Sequence, residues 1–166
     1  MSDDLILKIV ETLAGEGGRR IVEVLLNSQS GKSDEEIAQE LNLRINDVRK
    51  TLYELSKHGF VAYIRVTKGD SRWHNYYWYT DKNMLKQSID RRINEVLRIL
   101  NERLAYEESQ TFYICPNDLI RYTFDEAFEN NFRCIQCGSE LIEADNTKTV
   151  QYLKNLIKAL SIFQNT

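Results

Sequence analysis

Proline is nearly missing from this 166-residue chain, which has one, and glycine is sparse, at seven. These residues punctuate turns and loops. Their scarcity excludes collagen-like or proline-rich low-complexity sequence and leaves room for long helices. There is no signal peptide and no long uncharged apolar run, so the chain is expected to be neither secreted nor membrane-spanning. Only three cysteines occur, all within 115–137. A disulfide framework would spread them and use an even number. Metal binding in a reducing, cytoplasmic compartment fits better. The two histidines, His58 and His74, stand beside no recognisable nucleophile. With no catalytic triad or carboxylate dyad either, an enzyme is not expected. A basic excess is missing as well, since the net charge is −3. Residues 1–80 carry 11 Lys and Arg against 12 Asp and Glu, and residues 111–145 carry 2 against 7. A protein that grips duplex DNA unaided usually shows the opposite balance.

Apolar residues at 5, 6, 9, 10 and 13 have helical spacing. "GEGG" at 15–18 breaks the pattern, and Ile21 to Leu26 resume it. Ser33 followed by Glu36 is a capping box opening a short helix. Gly31-Lys32-Ser33 resembles the end of a phosphate-binding loop, but position 26 is Leu where that loop needs glycine, and no strand precedes it. Ile45, Val48, Leu52 and Leu55 predict another helix, closed by Gly59. "FVAYIRV" and "WHNYYWYT", separated by "TKGDSR", read as a hairpin. Helix, helix, short helix, helix and hairpin together form a winged helix. Residues 81–110 predict one long helix with a stripe at Leu85, Ile89, Ile93, Val96, Leu97, Leu100 and Leu104, and with Arg91–Glu95, Arg98–Glu102 and Arg103–Glu107 pairs on its wet side. Residues 111–145 have short strand-like pieces and few helical signals. Residues 146–166 form an amphipathic tail helix with Val150, Leu153, Ile157 and Leu160 inward. The expected class is α+β: an N-terminal winged helix (1–80), a long connecting helix (81–110), a small zinc-ribbon-like β module (111–145) and a C-terminal helix.

Two regions carry chemistry. "CPNDLIRYTFDEAFENNFRCIQC" has the pattern C-x2-D-x15-C-x2-C. Two knuckles at this spacing match a four-ligand zinc ribbon with ligands Cys115, Asp118, Cys134 and Cys137. Asp118 stands where a fourth cysteine belongs. Its carboxylate is an acceptable zinc ligand of the same charge, but it is harder than thiolate, so affinity should fall. A ribbon that has lost its metal would instead persist by packing Phe112, Ile114, Ile120, Tyr122, Phe124 and Phe132. The second region is the wing. Five of the seven residues from 73 to 79 are aromatic: Trp73, Tyr76, Tyr77, Trp78 and Tyr79. Strand alternation puts some on each face, and a two-stranded wing buries only one. Exposed aromatics suit a protein partner or unpaired bases, with Lys68 and Arg72 at the tip. Arg49 and Lys50 on the preceding helix are candidate phosphate contacts, although Asp47 and Glu54 share that surface.

The winged helix, the long helix and "YICPNDLIRYTFDEAFENNFRCIQCGSEL" resemble archaeal transcription factor E, the counterpart of the TFIIE alpha subunit. The most specific parts are "RYTFDEA" and "NDVRKTLYEL". Asp118 and the tail helix depart from the family's pattern. The resemblance implies a non-enzymatic initiation factor, nucleoid-associated, that joins RNA polymerase, TATA-binding protein and transcription factor B in the pre-initiation complex. It implies a winged helix on the polymerase clamp, favouring clamp opening and stabilising melted promoter DNA, including the non-template strand. Wing and ribbon would be two linked contacts spaced by the long helix. It also implies a beta subunit in some members, for which the tail's apolar face is the expected dock. A homodimeric winged-helix repressor with a metal-sensing ribbon is the alternative.

Overall fold

The computed structural model describes residues 2–67 and 74–164. The chain forms two compact units, Met1–Arg92 and Ile93–Thr166, with the border inside a helix.

In the first unit, α1 (Asp3–Leu26) is two helical runs meeting at Gly15, whose φ of 74° and ψ of 176° break the helix. The expected break is therefore a kink rather than a loop, and the helix resumes within the glycine cluster. Val10, Ile21, Val22 and Leu25 from α1 are buried. They form a core with Ile37 of α2 (Asp34–Leu41) and Val48, Leu52 and Leu55 of α3 (Ile45–Lys57). Ser33 caps α2, with its Oγ accepting from the Glu36 N–H at 3.2 Å and the Glu36 carboxylate accepting from the Ser33 N–H at 2.7 Å. That reciprocal box explains the residues once compared with a phosphate loop.

α3 ends in a Schellman turn: Phe60 N–H donates to Leu55 O and Gly59 N–H to Ser56 O, both at 2.9 Å. Gly59 takes φ +73°, and a Cβ there would stand 2.9 Å from Ser88 Oγ. The hairpin pairs β1 (Ala62–Thr67) with β2 (His74–Tyr79), antiparallel, Tyr63 opposite Trp78 and Arg65 opposite Tyr76. Lys32 adds a bridge on the other edge of β2, exchanging both backbone bonds with Trp78. These are the parts of a winged helix. The long helix α4 (Lys82–Ser109) begins in this unit and buries Leu85 and Ile89.

In the second unit, the C-terminal part of α4 is followed by β3 (Phe112–Ile114), β4 (Arg121–Thr123), α5 (Phe124–Glu129), β5 (Ile142–Ala144) and α6 (Thr147–Gln164). The three strands form a sheet in the order β4-β3-β5, with both pairings antiparallel. α5 is a true short helix, against the expectation of few helical signals. Its start is a second capping box, Thr123 with Glu126, which the strand-like look of "RYTF" concealed. The stripe expected along α4 is only partly covered: Ile93 is buried, Leu97, Leu100 and Leu104 are half-buried, and Val96 is exposed. α6 runs antiparallel along α4, with Gln164 bonded to Asn94 at 2.9 Å and Lys154 to Glu108 at 2.6 Å. Leu153 is its buried residue.

Of the charge pairs expected along α4, Arg98–Glu102 and Arg103–Glu107 form, and Arg91–Glu95 does not. Arg98, not Arg91, takes Glu95, and it holds Glu102 as well, each at 2.7 Å. Glu107 is not on a wet side, for its side chain is fully buried. Arg121 grips it with two bonds of 2.8 and 2.5 Å, Arg103 reaches it at 2.6 Å, and the Asn146 amide donates to it at 2.9 Å. The Arg121 guanidinium lies 3.6 Å from the centre of the Phe112 ring. One carboxylate thus ties the end of α4, β4 and the approach to α6. The Arg121 bonds, with help from Asn146 and Arg103, hold its pKa at about 2.

Candidate functional site

The two knuckles fold alike. Leu119 N–H donates to Cys115 O at 3.0 Å, and Gly138 N–H donates to Cys134 O at 2.8 Å. Each donor directly follows the second ligand of its knuckle, and each has positive φ, 57° at Leu119 and 74° at Gly138. Backbone N–H groups also point at the sulfurs, Asp118 N–H to Cys115 Sγ and Gln136 N–H to Cys134 Sγ, both at 3.4 Å. Such bonds stabilise thiolates. Glycine adopts the left-handed turn freely, while leucine does so at a cost. The first knuckle therefore keeps its geometry despite both of its unusual residues.

Cys115, Asp118, Cys134 and Cys137 converge, with their ligand atoms all within 4.8 Å of one another. Cys115 and Cys137 sulfurs are 3.5 Å apart, and Asp118 Oδ2 lies 3.7 Å from Cys115 Sγ and 3.3 Å from Cys134 Sγ. A tetrahedral centre with metal–sulfur bonds of ~2.3 Å spaces its ligands by roughly 3.5–3.8 Å. The group can hold a metal ion, and Asp118 reaches its place without distorting the knuckle. Contacts with the Cys137 and Cys134 thiols hold the Asp118 carboxyl below its ordinary range. Tyr122, expected only as a packing residue, also touches this group, with its hydroxyl 3.3 Å from Cys134 Sγ. That bond, aided by backbone N–H groups, lowers the Cys134 thiol. Spacing could not reveal that contact, because Tyr122 approaches from β4, between the knuckles.

Cys115, Cys134, Tyr122, Ala127 and Leu141 form the ribbon's own core, with Tyr113, Ile120 and Phe132 packed on it. Phe124, expected inside, is exposed instead. α5 turns Ala127 inward, and this leaves Phe124 on its outer side.

On the wing, Tyr63, Tyr76 and Trp78 share a face. The Tyr63 ring meets Tyr76 at 5.2 Å and Trp78 at 5.1 Å, edge to face. Tyr63 and Tyr76 are exposed, and Trp78 and Tyr77 are half-buried. Tyr63 was not singled out from sequence; only the register opposite Trp78 reveals it. Tyr77 packs at Gly31, where a Cβ would stand 3.2 Å from Tyr77 Cβ. Lys68, Arg72 and Trp73 lie outside the described residues. Arg49 is ion-paired to Asp34 and, at 3.1 Å, to Glu35. Lys50 is exposed, between Asp47 and Glu54 along one cleft. Arg49 and Lys50 thus stand among carboxylates. Among the described residues, no helix is long and apolar enough to cross a membrane.

The fold resembles a possible transcriptional regulator from Methanosarcina mazei, with a TM-score of 0.50 and 14% identity over 65% of this chain and 90% of that one. Transcription factor E from Metallosphaera sedula is 39% identical over 95% of this chain and 90% of its own length. The Saccharolobus islandicus protein of the same name is 39% identical over 96% of this chain and 91% of its own. The TFIIE alpha subunit family matches residues 4–109, the winged helix and the long helix. The chain therefore belongs to the TFIIE alpha subunit family, as a basal transcription initiation factor.

Proposed function

We propose that this factor docks on the RNA polymerase clamp through its winged helix, joining TATA-binding protein and transcription factor B in the pre-initiation complex. There it favours the open clamp and stabilises the unpaired non-template strand. The observation that carries this reading is the wing's aromatic face, Tyr63, Tyr76 and Trp78, in a domain without basic excess. Exposed rings offer a surface for a protein partner or for unstacked bases. Arg49, engaged by Asp34 and Glu35, is poorly placed to hold duplex phosphate. Lys68, Arg72, Trp73 and Tyr77 complete the proposed contact set, with Lys50 at its margin. A factor of this kind biases opening only by its differential affinity for the two clamp states.

Zinc is the metal proposed for Cys115, Asp118, Cys134 and Cys137, because three thiolates and one carboxylate at tetrahedral spacing suit it. When bound, it supplies a crosslink between the knuckles. The residues themselves hold the turn geometry and shield the site with Tyr122 and Leu141. The homodimeric repressor alternative is not favoured, since 95–96% of the chain aligns with proteins named transcription factor E. The test is Tyr76→Ala with Trp78→Ala in reconstituted initiation. Polymerase binding should weaken and promoter opening, read by permanganate footprinting, should drop severalfold. Unchanged binding and opening would refute the wing as the contact.

A further inference from the structure

We propose that the outer face of α5 docks a basic segment of a partner protein carrying at least one apolar side chain. Phe124 and Phe128, four residues apart, stack with centroids 6.1 Å apart and planes 15° from parallel. They are 44% and 64% exposed. Phe132 backs both, at 6.1 and 6.4 Å, and Tyr113 meets Phe124 at 6.4 Å. The chain turns to bring Phe132 there through two consecutive left-handed residues, Asn131 at φ 50° and Phe132 at φ 55°. A phenylalanine in that region is strained. The core needs from α5 only Ala127, so the core does not account for the exposed rings.

Charge selects the occupant. Asp125 and Glu129, also four residues apart, flank the ring pair and are exposed. Like charges at this spacing destabilise a helix. Residues 111–145 hold two basic residues, and both are engaged: Arg121 by Glu107, and Arg133 by the Gly138 carbonyl at 3.3 Å. An apolar strip beside unneutralised acid complements lysine or arginine interleaved with a leucine or aromatic. Nucleic acid would be repelled. A second copy of the ribbon would bring five net negative charges against five. The chain's own basic tail is tied along α4 by Lys154 and Gln164. The two rings offer on the order of 200 Å², enough for a weak contact that adds to others. The proposal is independent of the wing.

The test uses the 15N-labelled 166-residue chain and a synthetic octapeptide of six lysines with one leucine and one tryptophan. Amide shifts should move at residues 124–132. Phe128→Ser should weaken binding at least tenfold. The pair Asp125→Asn and Glu129→Gln, which leaves the rings in place, should weaken it severalfold and flatten its salt dependence. A peptide with serine for leucine and tryptophan should bind at least fivefold more weakly, and Tyr76→Ala should change nothing. Shifts mapping elsewhere, equal binding of the serine peptide, or indifference to Phe128→Ser would overturn the proposal. So would shifts at these residues caused by oligo(dT) or by raised protein concentration alone.

Discussion

Replacing Glu107 with glutamine keeps the side chain's size and removes its charge. The carboxylate accepts two bonds from Arg121, one from Arg103 and one from Asn146, from a fully buried position. Its pKa falls from 4.5 to about 2, which at 1.36 kcal/mol per unit would give ~3 kcal/mol. Arg103 is half exposed and Arg121 a third exposed, so water screens both, and ~1–2 kcal/mol is the realistic share. Glutamine also turns an amide against one guanidinium, adding about 1 kcal/mol for a mispaired group. Glu107→Gln should therefore destabilise the second unit by about 2–3 kcal/mol at pH 7. The folded pKa is depressed, so the charge's contribution is present above pH 4.5 and is lost as pH falls toward 2. The gap between wild type and variant should narrow over that window, and any loss of metal at the cysteines cancels in the comparison. Urea unfolding and amide exchange of residues 112–123 and 147–160 measure it. A gap under 0.5 kcal/mol at pH 7, or one that stays constant from pH 6 to 3, would refute the account.

Asp118→Cys should raise zinc affinity at least tenfold in chelator competition, because the knuckle already has cysteine-like geometry and only the donor changes. Unchanged affinity would mean that the carboxylate is not the weak ligand. Gly59→Ala should cost about 2 kcal/mol or more in thermal unfolding of the first unit, from its positive φ and the 2.9 Å approach of Ser88 Oγ. Ser33→Ala should cost about 1 kcal/mol through loss of the α2 cap, read by the same melt. A phosphate-binding role would instead leave stability alone.

Much of the molecule was legible because its signals are local. Ser33 with Glu36, the Leu52–Leu55 stripe and Gly59 announce helices and their ends through hydrogen bonds within a few residues. The four residues that could hold a metal were legible for the same reason: a knuckle needs two donors three positions apart, and its turn follows from that spacing. Where the reading failed, packing decided. Glu107 looked like one half of a wet i,i+4 pair until Arg121 and Asn146 arrived from distant positions to surround it. Phe124 looked like core because it is apolar, but Ala127 took the inward side of a helix only six residues long.

Composition and spacing by themselves determined the α+β class, the winged helix and the ribbon, and they named the four residues that converge in it, since each rests on short-range periodicity or turn chemistry. Tertiary structure alone decided which side chains meet. It placed Tyr63 against Tyr76 and Trp78 through strand register, set Tyr122 on Cys134 through the fold of the ribbon, and left Arg49 between two acids. It also decided that Asp118 reaches the three cysteines. The chain specifies a carboxylate at that position, but only the left-handed turn at Leu119, closed onto Cys115, turns it inward beside three sulfurs.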